Sequence, residues 1–175
     1  MKNVFYIFIL SIFFTSCLDE EKITLPEPGE ASPHIVDKWE METFFFDGKA
    51  RMDGLTGRFD AHATNPQGNF ITIKSDQTMN VQFQPLEIEF VIYIGPIPLT
   101  RTVTLDTELI KEGEWYKEGD RLHVVSVNGK MMSNFVIERL ETDRLVIIPT
   151  NPEMFIEDDF PIDIRIEDIW ISFKR

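Results

Sequence analysis

Cys17 is the only cysteine of the chain, and it follows an apolar run closed by two small residues, Thr15 and Ser16. A lone thiol on an exported chain has no disulfide to enter, so acylation of its sulfur is the chemistry that best suits the position; the alternative is a plain secreted protein with a free thiol. The three histidines offer less. His34 lies in a polar, proline-broken stretch, His62 on the polar parity of an alternating segment, and His123 beside Val124 and Val125, with no spacing that makes a metal pair. Glu153, Glu157, Asp158, Asp159 and Asp163 lack the register of a calcium loop and read as a solvated acidic loop. There is no Gly-x-Ser-x-Gly elbow and no phosphate-cradling glycine loop. No metal, no cofactor and no catalytic residue is therefore assigned, although carboxylates paired for glycoside hydrolysis depend on a spatial separation that sequence does not give.

The segments around Cys17 explain its setting. Lys2 supplies a positive charge, and Val4 to Phe14 is apolar except for Ser11, the pattern of a secretory signal. About eleven apolar residues rise only about 16 Å as a helix, roughly half of a bilayer core, so residues 1–16 are expected to be a signal peptide and not a permanent span. Residues 17–34 hold Pro26, Pro28, Gly29 and Pro33 among acids and read as a tether. Fully extended, it reaches about 50 Å. The formal net charge is -13, which makes nucleic acid and anionic headgroups poor partners for the bulk surface.

Phe14-Thr15-Ser16-Cys17 resembles a bacterial lipobox, with Phe14 where Leu is usual. That resemblance implies a diacylglyceryl thioether on Cys17 and an acylated amino group, and several chains anchor a protein stably where one does not. Asp19, Glu20 and Glu21 are similar to the export tag of Bacteroidetes-type lipoproteins, or else form part of a solvated acidic linker.

Residues 35–175 have the length of one ordinary domain. Their periodicity is that of strands: Trp39 and Met41 alternate with charged residues, and Phe59, Ala61 and Ala63 with Arg58, Asp60 and His62. Met79, Val81 and Phe83 share one parity; so do Leu86, Ile88, Phe90, Ile92 and Ile94. Further strands are expected at 99–105, 114–117, 121–127, 131–140, 144–149 and 162–173, with turns at Asp47-Gly48, Asn65-Pro66-Gln67-Gly68, Glu118-Gly119-Asp120, Asn128-Gly129 and Thr142-Asp143. About eight to ten short strands joined in sequence predict an all-β, antiparallel up-and-down barrel, with a β-sandwich as the alternative.

Ile35-Val36-Asp37-Lys38-Trp39-Glu40-Met41 resembles the opening strand of lipocalin-like domains, where a Gly-x-Trp pattern begins the barrel; Asp37 stands where that family has Gly. Gly113 to Leu122 and Ile137 to Val146 resemble the middle of small lipocalin-like lipoproteins. The resemblance implies a barrel plugged by Trp39, with Lys174 or Arg175 packed across the indole.

Such a barrel would hold Trp39, Met41, Phe59, Ala61, Met79, Val81, Phe83, Ile88, Phe90, Val103, Phe135 and Ile137 inside, either as a filled core or around one small ligand. Trp115 is expected at a mouth or, more commonly for such a residue, buried in a strand. The apolar loop with Ile94, Ile97 and Leu99 is expected to gate a pocket, to contact a partner or to fold over the barrel end. Phe44-Phe45-Phe46 poses the same choice. Two functions remain open: an outer-membrane, lipid-anchored lipoprotein of the cell envelope, on its periplasmic or surface side, whose barrel binds a small apolar ligand; or a non-enzymatic lipoprotein with a filled barrel that contacts another envelope protein. The sequence sets no oligomeric state.

Overall fold

The computed structural model describes residues 34–52, 54–94, 98–105, 112–126, 132–151 and 163–175. All regular structure among them is antiparallel sheet. The strands are β1 (Asp37–Met52), β2 (Leu55–Ala63), β3 (Phe70–Ile73), β4 (Thr78–Gln82), β5 (Leu86–Tyr93), β6 (Leu99–Leu105), β7 (Glu112–Glu118), β8 (Arg121–Ser126), β9 (Met132–Leu140), β10 (Arg144–Pro149) and β11 (Asp163–Lys174). They form one eleven-stranded sheet in the order β11-β10-β9-β8-β7-β4-β3-β1-β2-β5-β6, and β11 also pairs with β1. That last pairing closes eight strands into a barrel, leaving β2, β5 and β6 as an extension. Closure satisfies the backbone groups that two free edges would expose. The fold is the barrel that the alternation predicts, and the sandwich is set aside.

The extension follows from the length of β1. Its first residues, Asp37 to Glu40, pair with β3, whereas Phe45 to Met52 pair with β2. Thus β2 and β3 lie end to end along the same edge of β1. In the next layer β4 pairs with β3 and β5 with β2. The short strands are therefore halves of long ones, interrupted at one level. One half of each closes the barrel; the other half joins a wing made of β6, β5, β2, the end of β1 and the start of β11.

Asparagine side chains stitch the interruption. Asn69, 1 % exposed, donates from Nδ2 to Pro66 O (2.9 Å) and accepts at Oδ1 from Gln84 N (2.7 Å), while its own carbonyl accepts from Met41 N (2.7 Å). Asn65 Oδ1 accepts from Glu87 N at 2.7 Å. These side chains replace ladder partners where the strands break, as burial of backbone polar groups demands.

Two irregularities set which face of β1 looks inward. A register shift between Met41 and Thr43 moves the buried parity from Trp39 and Met41 to Phe44, Phe46, Gly48 and Ala50. Phe44 and Phe46 thereby turn into the core, and Phe45 stacks on Trp170 of β11 at 4.2 Å on the other face. The bulge residue Glu42 pairs with Arg144 at 2.7 Å. A second shift lies between Asp47 and Gly48, where the sequence predicts a turn. The chain does not turn there. It runs straight through, the extra residue being Glu167 on β11, and a Cβ on Gly48 would lie 2.0 Å from Arg165 O. Glycine serves the close approach of β11, not a hairpin. The hairpin comes instead after Met52, with Gly54 at φ 81°.

One continuous core runs through barrel and wing. In the wing it is aromatic: Phe46, Phe59 and Phe90 meet pairwise with centroids 5.4 to 6.0 Å apart. The four-residue strand β3, which was too short to announce itself by alternation, completes the barrel wall.

Candidate functional site

The two tryptophans of the barrel close one end of it. Trp39, fully buried, donates its indole N–H to Ile35 O at 2.9 Å, just before β1 begins. Trp115 on β7, 1 % exposed, donates to Lys74 O at 2.9 Å, at the β3 to β4 hairpin. Each large apolar ring is thus held by its single polar atom, the arrangement that makes a buried indole inexpensive. Outside Trp39, the Arg175 guanidinium lies 4.7 Å from the ring centroid. Arg175 also pairs with Asp37 Oδ2 at 3.0 Å and donates to His34 O at 2.7 Å. Of the two basic residues anticipated across the indole, Arg175 makes the contact, and Asp37 holds it there.

The barrel also holds a small cavity, about 40 Å³ in volume. Its lining comes from the barrel strands: Ile71 and Met79, Val81 and Phe83, Leu122 and Val124, Phe135, Ile147, Ile171 and Phe173, with the hydroxyl residue Ser133. The parity of each strand places them. Leu122 and Val124 alternate along β8, as Ser133 and Phe135 do along β9 and Ile171 and Phe173 along β11. Among the described residues, no lining side chain is titratable. The described lining therefore offers apolar burial and the Ser133 hydroxyl.

The residues anticipated for the interior divide into three groups. Met79, Val81, Phe83 and Phe135 line the cavity. Trp39 and Met41 are buried, and Ile137 is half-buried against the core, but none of the three lines it. Phe59, Ile88 and Phe90, together with Ala61 and Val103, belong to β2, β5 and β6 and pack in the wing, not inside the closed barrel. The cause is register: parity reports which face of a strand is apolar, not which half of a long ribbon enters the closed ring. Ile71, Leu122, Val124, Ile147, Ile171 and Phe173 were missed, although the same parity marks them. Ser133 carries no such signal.

In the loop after β5, Ile94 is half-buried against the core and Leu99 is 42 % exposed at the start of β6. Ile97 lies outside the described residues, as do Cys17, residues 18–33 of the tether and Glu153 to Asp159. His62 is exposed, 3.8 Å from Glu89. His123 is 7 % exposed, stacked on Tyr116 at 4.4 Å, with Nδ1 2.7 Å from Asn134 Oδ1. Its Nε2 has no hydrogen-bond partner among the described residues and lies 3.9 Å from Glu118. No group of three metal-ligating side chains comes together among the described residues.

Among the described residues, the displaced titrations lie away from the cavity. Asp47 is raised above the ordinary aspartate value by desolvation and by Asp168 and Asp60, its neighbours across the strands on either side. Tyr93 is raised by desolvation and by Asp60. Asp76 is lowered by hydrogen bonds from the Thr78 hydroxyl and amide, and Glu167 by its hydrogen bond from Lys49. No protein-family model, no curated protein and no solved structure matches the chain.

Proposed function

We propose that this chain is a lipid-anchored envelope lipoprotein, held in the outer membrane through Cys17, whose barrel takes one slender apolar ligand. The observation that carries the binding reading is the cavity, whose described wall is apolar but for Ser133. Its size selects the ligand. Drug-sized pockets run from about 300 to 1,000 Å³. So small a cavity suits an aliphatic chain or a small ring, and each buried methylene contributes about 0.8 kcal/mol. Ser133 would meet the single polar atom of such a ligand. The anchor reading rests on Cys17 and the apolar run before it.

Binding is tested with the full chain carrying Cys17→Ala and a fluorescent single-chain fatty acid as probe. Saturable binding is expected, and Val124→Phe, which fills the cavity, should weaken it at least about tenfold, equivalent to about 1.4 kcal/mol, while overpacking costs about 1 to 3 kcal/mol of stability. Unchanged affinity in a folded Val124→Phe chain would place the ligand elsewhere. For the anchor, Cys17→Ala should release the protein from membranes.

A further inference from the structure

The two longest stretches of sheet edge without a strand partner among the described residues differ in kind. One is β11 from Asp163 to Trp170, which pairs only with β1. It carries Asp163, Arg165, Glu167 and Asp168 and is bulged at Glu167. Charge and irregularity of this sort keep edges from pairing. The other is β6, which pairs only with β5. Its register with β5 is unbroken from Leu86 opposite Leu105 to Ile92 opposite Leu99. Across its seven residues it has no proline, glycine, lysine or acid, and one charge, Arg101. Leu99, Thr100, Arg101, Thr102 and Thr104 are exposed.

We propose that β6 is an association edge for a second copy of this chain, paired antiparallel about a two-fold axis at Thr102. The residue pattern favours a copy of itself. Centred on Thr102, the pairing sets Thr100 against Thr104, Arg101 against Val103 and Leu99 against Leu105 of the other copy. The single charge never faces its twin, the threonines form one row, and the exposed Leu99 gains an apolar neighbour. Centring the pairing on Arg101 instead would oppose two guanidinium groups. In a chain of formal charge -13, an acid-free edge is also where two copies approach with least repulsion. The two wings, five strands each, then become one continuous sheet. A seven-residue strand pair buries less than the roughly 1,000 Å² of a stable interface, so the contact is weak in dilute solution and strengthens when both copies are held on one surface.

The test is positional. In the full chain carrying Cys17→Ala, a single new thiol is introduced as Thr102→Cys or as Arg101→Cys, and each is mildly oxidised. On the two-fold axis the Thr102 Cα atoms lie about 4.5 to 5.5 Å apart, within disulfide reach, whereas the Arg101 pair is about 8 Å apart. Thr102→Cys should therefore form a linked dimer on the order of ten times faster than Arg101→Cys. In sedimentation over roughly a hundredfold concentration range, Thr102→Lys should lower the association constant at least about tenfold. Equal linking at the two positions, or a chain that stays monomeric throughout, overturns the proposal.

Discussion

β1 passes through two neighbourhoods, and the contrast between them describes the molecule. From Asp37 to Glu40 it pairs with β3, and from Glu40 onward with β11, which closes the ring; here Trp39 is wholly buried and hydrogen-bonded and Arg175 covers it. From Phe45 to Met52 it lies between β2 and β11 in an open sheet. There the backbone ladder ends at β6, and an aromatic cluster of Phe46, Phe59 and Phe90 supplies the cohesion. The ring owes its order to closure and to two pinned indoles; the wing owes its order to side-chain packing on one face. Cavities belong in the first setting and edges available for association in the second.

The contrast can be broken most severely at the floor. Trp39→Ala removes a fully buried indole, its hydrogen bond to Ile35 O and the seat of Arg175. A loss of about 3 to 5 kcal/mol is expected in urea denaturation. A loss below about 1 kcal/mol would mean that the barrel end is not closed by this residue. The next test is the seam between the regions. Asn69→Ala leaves Gln84 N and Pro66 O without their partners, at an expected cost of about 1 to 3 kcal/mol. Hydrogen exchange should quicken on both sides of the seam, in β3 and in β5; quickening on one side only would separate the two halves energetically.

The smallest effect lies on the wing's outer face. Asp168, Asp47 and Asp60 stand in a row across three strands, and like charges directly opposite one another destabilise a sheet. Asp47→Asn should stabilise the protein at neutral pH by less than about 1 kcal/mol, given solvent screening. The sign follows from the raised pKa of Asp47. An acid whose folded-state pKa is raised adds stability below its ordinary pKa and loses that gain as pH rises through the raised value. The advantage of Asp47→Asn should therefore close as pH falls below the usual aspartate range. An advantage unchanged by pH would point to packing instead.

Much of this architecture is legible in the residues, in a graded way. Alternation finds β5 within a residue and the inner half of β2, because one face of each is buried and the period of two is clean, and the expected bounds of β6 match although none of its residues is fully buried. Trp39 is legible as a buried strand residue from its alternation, with Met41, against charged neighbours. The division into barrel and wing is not, since it depends on which strand each half of β1 meets. Hence Met79 and Val81 are found in the cavity, whereas Phe59 and Phe90, equally apolar and equally well phased, belong to the wing. Asp47-Gly48 carries the composition of a turn, but the missing side chain there accommodates the Arg165 carbonyl. Ser133 is hidden for a simpler reason: a small polar residue at an inward position breaks the very pattern used to find it.

The three tryptophans are shared between the two regions. Trp39 and Trp115 sit dry at the floor, each donating to a carbonyl, whereas Trp170 is half-buried in the wing against Phe45. The molecule thus carries its own optical labels. Emission from the floor should be blue-shifted and shielded from a dissolved quencher, and emission from Trp170 redder and accessible, so that melting of the wing and opening of the barrel can be followed separately in one unlabelled sample.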